Sequence, residues 1–475
     1  MKIDFTKKIE EFKEKSDKEI LTYLSDFWNV APNEDGIIRL YASYKKSEHK
    51  DNKGNDFAFF VDIRNEVGDI LYYPYKLGKV KIWSQYKPQF EAQPIWQINV
   101  RLSEQKYRKE NPFALCMANN IVGKPSLKFN DRLEKEAIIK KIFKDTGYTQ
   151  RDAKNTVNAL HNIMDDLYTN ADDRFVYELL QNADDQPQEG KTVSVFMQLQ
   201  ENHLLFMHNG RPFDKDDVDS ICSIGSSTKR NSKEKIGYKG IGFKSVFTGS
   251  DTVIVNSGNF SFAFDKYSPL YNDANIESIP WQLKPIWQEK YRYPKEVRDN
   301  ECFWKAPVGI SLNIDSDRVE YFDSSIRKIL SNPLFLLFLK NVSLFRFNCK
   351  AKELKIAKDE DDNIIHIKEN DKIISSWIKT DYVIEIPQDI RDAMQNDRNV
   401  PQKMKEATKT QISFAANITD EEIKQINNSV LYAYLPTTVN DFKFNFIVNA
   451  DFLLAANREQ LHTKKTWKLY ILKQQ

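Results

Sequence analysis

The chain reads as an α+β protein in three parts, and three observations carry that reading. Apolar residues recur at helical spacing over the first 28 residues. Period-two alternation then runs through FAFFVDI and IWQINV. Beyond residue 129, helical and strand-like stretches intermix around two polar motifs and a glycine-rich string. Helical spacing marks one buried stripe, and alternation marks a half-buried strand.

Taken in order, Phe5, Ile9 and Phe12 and then Ile20, Leu21 and Leu24 predict an N-terminal helical stretch up to about Trp28. Strands are expected from Ile37 to about Val122, separated by polar turns such as HKDNKGND. Tyr72, Tyr73, Trp83, Tyr86 and Trp96 belong to this segment; they fill a small β core or, alternatively, stack on nucleobases. Helix resumes from about Phe129, and the strand GISLNI closes the second part near Asp315. Between Arg211 and Lys235 a Ser- and Lys-rich stretch without strong periodicity suits a lid or a surface loop. The third part opens with helical SSIRKILSNPLFLLFL and continues into strands such as LFRFN and FKFNFIVNA, with KDEDDN and MQNDRN as loops. The expected domains are residues 1–128, 129–315 and 316–475.

Composition narrows the function classes. A length of 475 residues with 41% hydrophobic content suffices for several cores, and a net charge of +2 argues against a dedicated polybasic nucleic-acid binder. The scattered Cys116, Cys222, Cys302 and Cys349 lack metal-ligand spacing and read as reduced thiols of a cytoplasmic protein. The longest apolar run, around Pro333 to Leu339, is too short to span a bilayer, so no membrane partner is expected.

Chemistry concentrates in two motifs. In IGYKGIGFKSVF (Ile236 to Phe247), Gly237, Gly240 and Gly242 let backbone N–H groups approach an anion ahead of a helix-compatible run, although the string is neither a P-loop nor a dinucleotide fingerprint. Alone, it also fits a plain loop. In ELLQNADD (Glu178 to Asp185), Glu178 and Asn182 lie one helical turn apart beside an apolar stripe of Phe175, Val176, Leu179 and Leu180. A carboxylate there can orient and deprotonate water, and an amide oxygen is a hard ligand for Mg²⁺; a solvated helix face is the other reading.

The order ELLQNADD, HNG (His208 to Gly210), SSTK (Ser226 to Lys229) and KIGYKGIGFKSVF resembles the GHKL, or Bergerat-fold, ATPases. Within them it is most similar to the sacsin and NO VEIN-like group, with heat shock protein 90 as a wider relation. LYTNADDRFVYELLQNADD and the Leu435 to Leu461 stretch add to the likeness, which covers roughly Asn155 to Trp467. The resemblance implies a Bergerat-type mixed sheet with helices on one face, preceded by a β-rich domain and followed by a transducer-like α/β domain. It implies ATP and Mg²⁺ as cofactors and slow hydrolysis. Glu178 is then the catalytic base and Asn182 the metal ligand. Asp185, His208, Asn209, Gly210, Lys229, Gly237, Gly240, Gly242 and Phe243 line the nucleotide site. Arg458 reaches the terminal phosphate from the third domain, or forms a surface ion pair instead. The sequence departs from the family at His208, where most members carry an aspartate that accepts from the adenine amino group. A neutral imidazole and the Asn209 amide oxygen are left to read the base, unless His208 merely ends the strand HLLFMH.

The implied role is an ATP-driven switch for chaperone-like remodelling of a protein client or partner subunit, compatible with a homodimer. A nucleic-acid-associated ATPase of a bacterial anti-phage defence system working with a nuclease is the alternative, and a nucleotide-binding scaffold a third.

Overall fold

The computed structural model describes residues 5–50, 56–71, 79–81, 95–121, 127–146, 158, 174–223, 242–271, 279–350, 352–395, 402–420, 422–427, 429–440 and 442–452. The chain forms two compact units, Met1–Ile138 with Trp287–Arg298, and Ile139–Ile286 with Asp299–Gln475.

In the first unit, helix α1 (Phe5–Phe12) and helix α2 (Asp17–Trp28) precede strand β1 (Ile38–Lys50). A capping box starts α2: the Ser16 hydroxyl accepts from the Glu19 N–H while the Glu19 carboxylate accepts from the Ser16 N–H. Asn29 ends it in the left-handed conformation. Strands β2 (Asp56–Arg64), β3 (Lys79–Lys81), β4 (Ile95–Leu102) and β5 (Leu115–Ile121) complete an antiparallel sheet in the order β3-β2-β1-β4-β5. Ile20, Leu24 and Trp28 from α2 pack with Ile38, Leu40, Ile98, Val100 and Phe113, and Trp96 lies half-buried against that cluster. Helix α3 (Leu127–Asp145) follows.

The second unit is built on one long mixed sheet. Helix α4 (Arg174–Asp184) carries the ELLQNAD stretch and leads into the hairpin β6 (Val193–Gln200) and β7 (His203–His208). Helix α5 (Lys215–Ile221) follows, where the sequence shows no periodicity. It forms because Asp214 and Asp217 make a reciprocal capping box, a local signal that needs no apolar stripe. Strands β8 (Thr252–Ser257), β9 (Phe260–Asp265), β10 (Ile286–Trp287) and β11 (Val308–Asn313) come next, then helix α6 (Val319–Ser331). The remaining strands are β12 (Val342–Cys349), β13 (Lys352–Asp361), β14 (Ile364–Glu369), β15 (Lys372–Glu385), β16 (Lys409–Thr419), β17 (Glu422–Lys424), β18 (Leu431–Ala433), β19 (Leu435–Pro436) and β20 (Ile447–Ala450).

The sheet runs β10-β9-β8-β11-β7-β6-β12-β13-β14-β15-β16-β20-β18-β19, with β17 on β16. The parallel pairing of β6 with β12 joins its two halves across the boundary expected at residue 315. Register puts His208 opposite Val195 and Val308, and Phe206 opposite Met197 and Ile310. These side chains therefore share one sheet face with Phe345 and Phe347, the partners of Val195 and Met197. Helix α4 packs on β6 and β12 and buries Phe175, Val176, Leu179, Leu180 and Ala183. Each such large side chain contributes about 1.5–3 kcal/mol by leaving water.

Candidate functional site

Helix α4 owes its position to both ends. Near its start, Phe175 meets Phe322 of α6 edge-on at 5.6 Å, and Tyr177 meets Phe335 at 6.2 Å. At its end Asp184 is buried, and its carboxylate accepts from the backbone N–H groups of Lys340 at 2.9 Å, Asn341 at 2.6 Å and Val342 at 2.8 Å. The Asn341 side chain donates back to the Asp184 carbonyl at 2.7 Å. Burial pushes the Asp184 carboxyl above its usual range, against the pull of those three donors.

This frame presents Glu178, which is 3% exposed, and the half-buried Asn182 one turn apart on α4. The helix packs against a 3-10 turn over Gly242–Thr248, the end of the glycine-rich string. The sequence leads one to expect an α-helix there. The tighter turn buries every residue from Phe243 to Phe247, and the Thr248 hydroxyl closes it by donating to the Ser245 carbonyl at 2.7 Å.

Phe243, expected to line the nucleotide site, packs with Phe247 and Phe264 at centroid distances of 6.0 and 6.3 Å. The neighbouring Lys244 is also buried. Its ammonium donates to the carbonyl of Ile221, the last residue of α5, and to that of Gln282 at 3.1 Å, and burial lowers its pKa to about 8. Nothing in the sequence marks this lysine, because its partners are backbone carbonyls.

The HNG turn follows β7. Chain leaving α4 crosses it: the Gln186 carbonyl accepts from the Arg211 N–H at 2.8 Å, and Gln188 donates to the carbonyls of Asn209 at 2.9 Å and Gly210 at 3.3 Å. Gly210 has to be glycine, since a Cβ would lie 2.5 Å from the Gln186 oxygen and 2.7 Å from His208 Nδ1. Asn209, expected to offer its amide oxygen to a base, bonds to the strand that follows α4. That oxygen accepts from the Ser194 N–H at 2.7 Å, and the amide nitrogen donates to Thr192 at 3.2 Å. Asp217 joins Gln186 at 3.2 Å to Arg211 at 2.6 Å, fastening α5 beside the turn.

His208 is 5% exposed, and burial lowers its pKa to about 4. Its Nδ1 accepts from the Gly210 N–H at 3.1 Å. Asp185 is buried at the end of α4, its N–H donating to Gln181 at 3.0 Å. Lys229, Gly237, Gly240 and Arg458 lie outside the described residues, as do the SSTK string and the stretch after Phe452. The structure thus brings together ELLQNADD, HNG and the end of the glycine string. Among the described residues no helix is long and apolar enough to cross a membrane, and no three or more His, Cys, Asp or Glu side chains form a metal-holding group.

Comparison with known proteins agrees with the motif order. Residues 153–308 match the Sacsin domain family model. The chain is also 26% identical over 328 residues to Protein NO VEIN of Arabidopsis thaliana, a match covering 66% of this chain and 11% of that protein. Both findings support a sacsin- and NO VEIN-like family, and the chain spans about a tenth of the length of that relative.

Proposed function

We propose that this chain binds a Mg²⁺-nucleoside triphosphate, with ATP as the reference ligand, and hydrolyses it slowly to drive a conformational switch of the sacsin type. The observation that carries the reading is the packing of α4 against Gly242–Thr248, with Gln186 and Gln188 tied to the HNG turn. Helix α4 and the chain leaving it thus meet both the end of the glycine string and the HNG turn, the motifs with which a Bergerat-type ATPase would hold its nucleotide. The donor chemistry fits Mg²⁺, which takes one or two protein oxygens and fills its remaining positions with phosphate and water. Asn182 offers an amide oxygen of that kind, and no self-sufficient metal cage competes among the described residues.

Bound Mg²⁺-triphosphate would supply the transferable phosphoryl group and the cation that offsets its charge. The protein's part is to hold and deprotonate water. Glu178 sits in a largely dry position on a helix fixed at both ends, which keeps a carboxylate oriented for taking a proton from water. Chaperone-like remodelling is the coupled work we propose. Asp184 ties the end of α4 to the backbone of Lys340 to Val342, where β12 begins, so any shift of this helix would be transmitted to the sheet half beyond it.

Glu178→Ala should keep triphosphate affinity within about 3-fold and lose at least ~100-fold in turnover, whereas Asn182→Ala should weaken Mg²⁺-dependent binding itself. Isothermal titration with and without Mg²⁺, beside single-turnover hydrolysis, checks both. Unchanged turnover in the Glu178 variant overturns the assignment.

A further inference from the structure

We propose that His208 reads the nucleobase as a hydrogen-bond donor, so that the site accepts 6-keto purine nucleoside triphosphates, inosine and guanosine, at least as tightly as ATP. This rests on the nucleotide-binding reading above and specifies its substrate class.

The tautomer follows from the backbone. An amide N–H can only donate, and the Gly210 N–H points at His208 Nδ1 over 3.1 Å, so Nδ1 must be the unprotonated nitrogen. Gly210 secures the contact because it has no Cβ to push the ring away. Burial keeps the ring neutral near pH 7, which puts its single proton on Nε2. The one hydrogen bond of the ring among the described residues is made by Nδ1, which leaves the Nε2 proton to a ligand acceptor.

Position favours the base as that ligand. His208 ends β7 on the face it shares with Phe206, Val195 and Val308, the face to which Phe345 and Phe347 of β12 also belong. The adjoining turn is bound to the chain leaving α4. The neighbouring Asn209 oxygen already accepts from the Ser194 N–H. The ring also meets Phe206 edge-on at 5.9 Å, which fixes its plane.

The consequence inverts the expectation for a carboxylate in this place. A carboxylate accepts from the 6-amino group of adenine and is left facing a lone pair when it meets a 6-keto group. An Nε2–H does the reverse: it donates to the 6-keto oxygen and stands donor to donor against the 6-amino group. ATP retains N1 as an acceptor, so it is tolerated, but the advantage of adenine disappears.

The test is competition binding of ATP, ITP and GTP with Mg²⁺ to the parent and to His208→Asp, on protein whose folding is checked by thermal melting. ITP separates the 6-position from the 2-amino group of GTP. The parent should bind ITP and GTP at least as tightly as ATP, and His208→Asp should shift the ITP-to-ATP affinity ratio toward ATP by about 10-fold or more. A parent that prefers ATP overturns the proposal whether or not the variant folds, and so does an unchanged ratio in a folded variant. Absence of binding by all three triphosphates would remove the nucleotide reading along with this one. Tight binding with the opposite ratio removes this inference alone.

Discussion

Two fastenings, one in each compact unit, work by different chemistry. In the first, buried ions meet across long stretches of chain: Arg64 pairs with Glu136 at 2.8 Å, and Arg132 pairs with Asp69 at 2.8 Å and Glu289 at 3.3 Å. Arg132 also lies 5.0 Å from the Trp287 ring centre, and Glu289 accepts from the Trp287 indole at 2.7 Å and the Ile70 N–H at 2.9 Å. In the second, Asp184 holds α4 to β12 through three backbone donors and forms no ion pair among the described residues. An ionic fastening depends on both partners, because removing either strands a buried charge. A carboxylate on backbone N–H groups depends on one side chain, and its partners persist for any residue but proline at positions 340–342.

The largest effect expected from breaking this contrast is at Arg132. Arg132→Ala leaves Asp69 and Glu289 without their cation and should cost the first unit about 3–5 kcal/mol. Adding Glu289→Gln should recover part of that loss, since a neutral amide tolerates the vacated site. Urea unfolding followed by tryptophan fluorescence on single and double variants measures it. A double variant no more stable than Arg132→Ala would show that the junction is held by packing instead.

Next in size is Asp184→Ala, which leaves three inward N–H groups unmet and should cost about 2–4 kcal/mol. Asp184→Asn keeps one acceptor oxygen and should cost less. Hydrogen exchange at the amides of Lys340 to Val342 is the specific readout, and unaltered protection there in the alanine variant would contradict the clamp.

Much of the scaffold was legible because its signals are local. The strand expected in GISLNI falls in β11, and HLLFMH forms β7. The apolar stripe of Phe175, Val176, Leu179 and Leu180 is buried along α4. The wiring of the site was not legible, because its partners lie far apart in sequence. Asp184 and Asp185 are adjacent carboxylates, and nothing local tells that the first would meet positions 340–342. Asn209 and Phe243 have residue types suited to a nucleotide, and nothing local tells that one would also bond Thr192 and Ser194 and the other join an aromatic cluster. Lys244 resembles a phosphate ligand by type and serves as a donor to two carbonyls. Helix α5 was missed because a capping box, not periodicity, starts it.

Acid provides the smallest effect and sharpens the contrast by its sign. Burial raises the carboxyls of both Glu289 and Asp184, so their folded forms take up a proton at least as readily as the unfolded chain and neither weakens its unit on acidification. His208 behaves oppositely. Its pKa falls from the ordinary 6.5 to about 4 in the folded chain, so the unfolded chain binds the proton first as pH drops. The stability it contributes is complete above about pH 6.5 and is lost progressively toward pH 4, with about 2 kcal/mol gone by about pH 5. The second unit should therefore lose stability in mild acid while these fastenings of the first do not. His208→Gln lacks the titrating ring and should flatten the dependence between about pH 7 and pH 5, even if it is less stable throughout. Urea midpoints of parent and variant at those two pH values decide it: an equal slope in both would sink the assignment of the acid response to His208, and with it the neutral, Nδ1-accepting ring that its reading of the base requires.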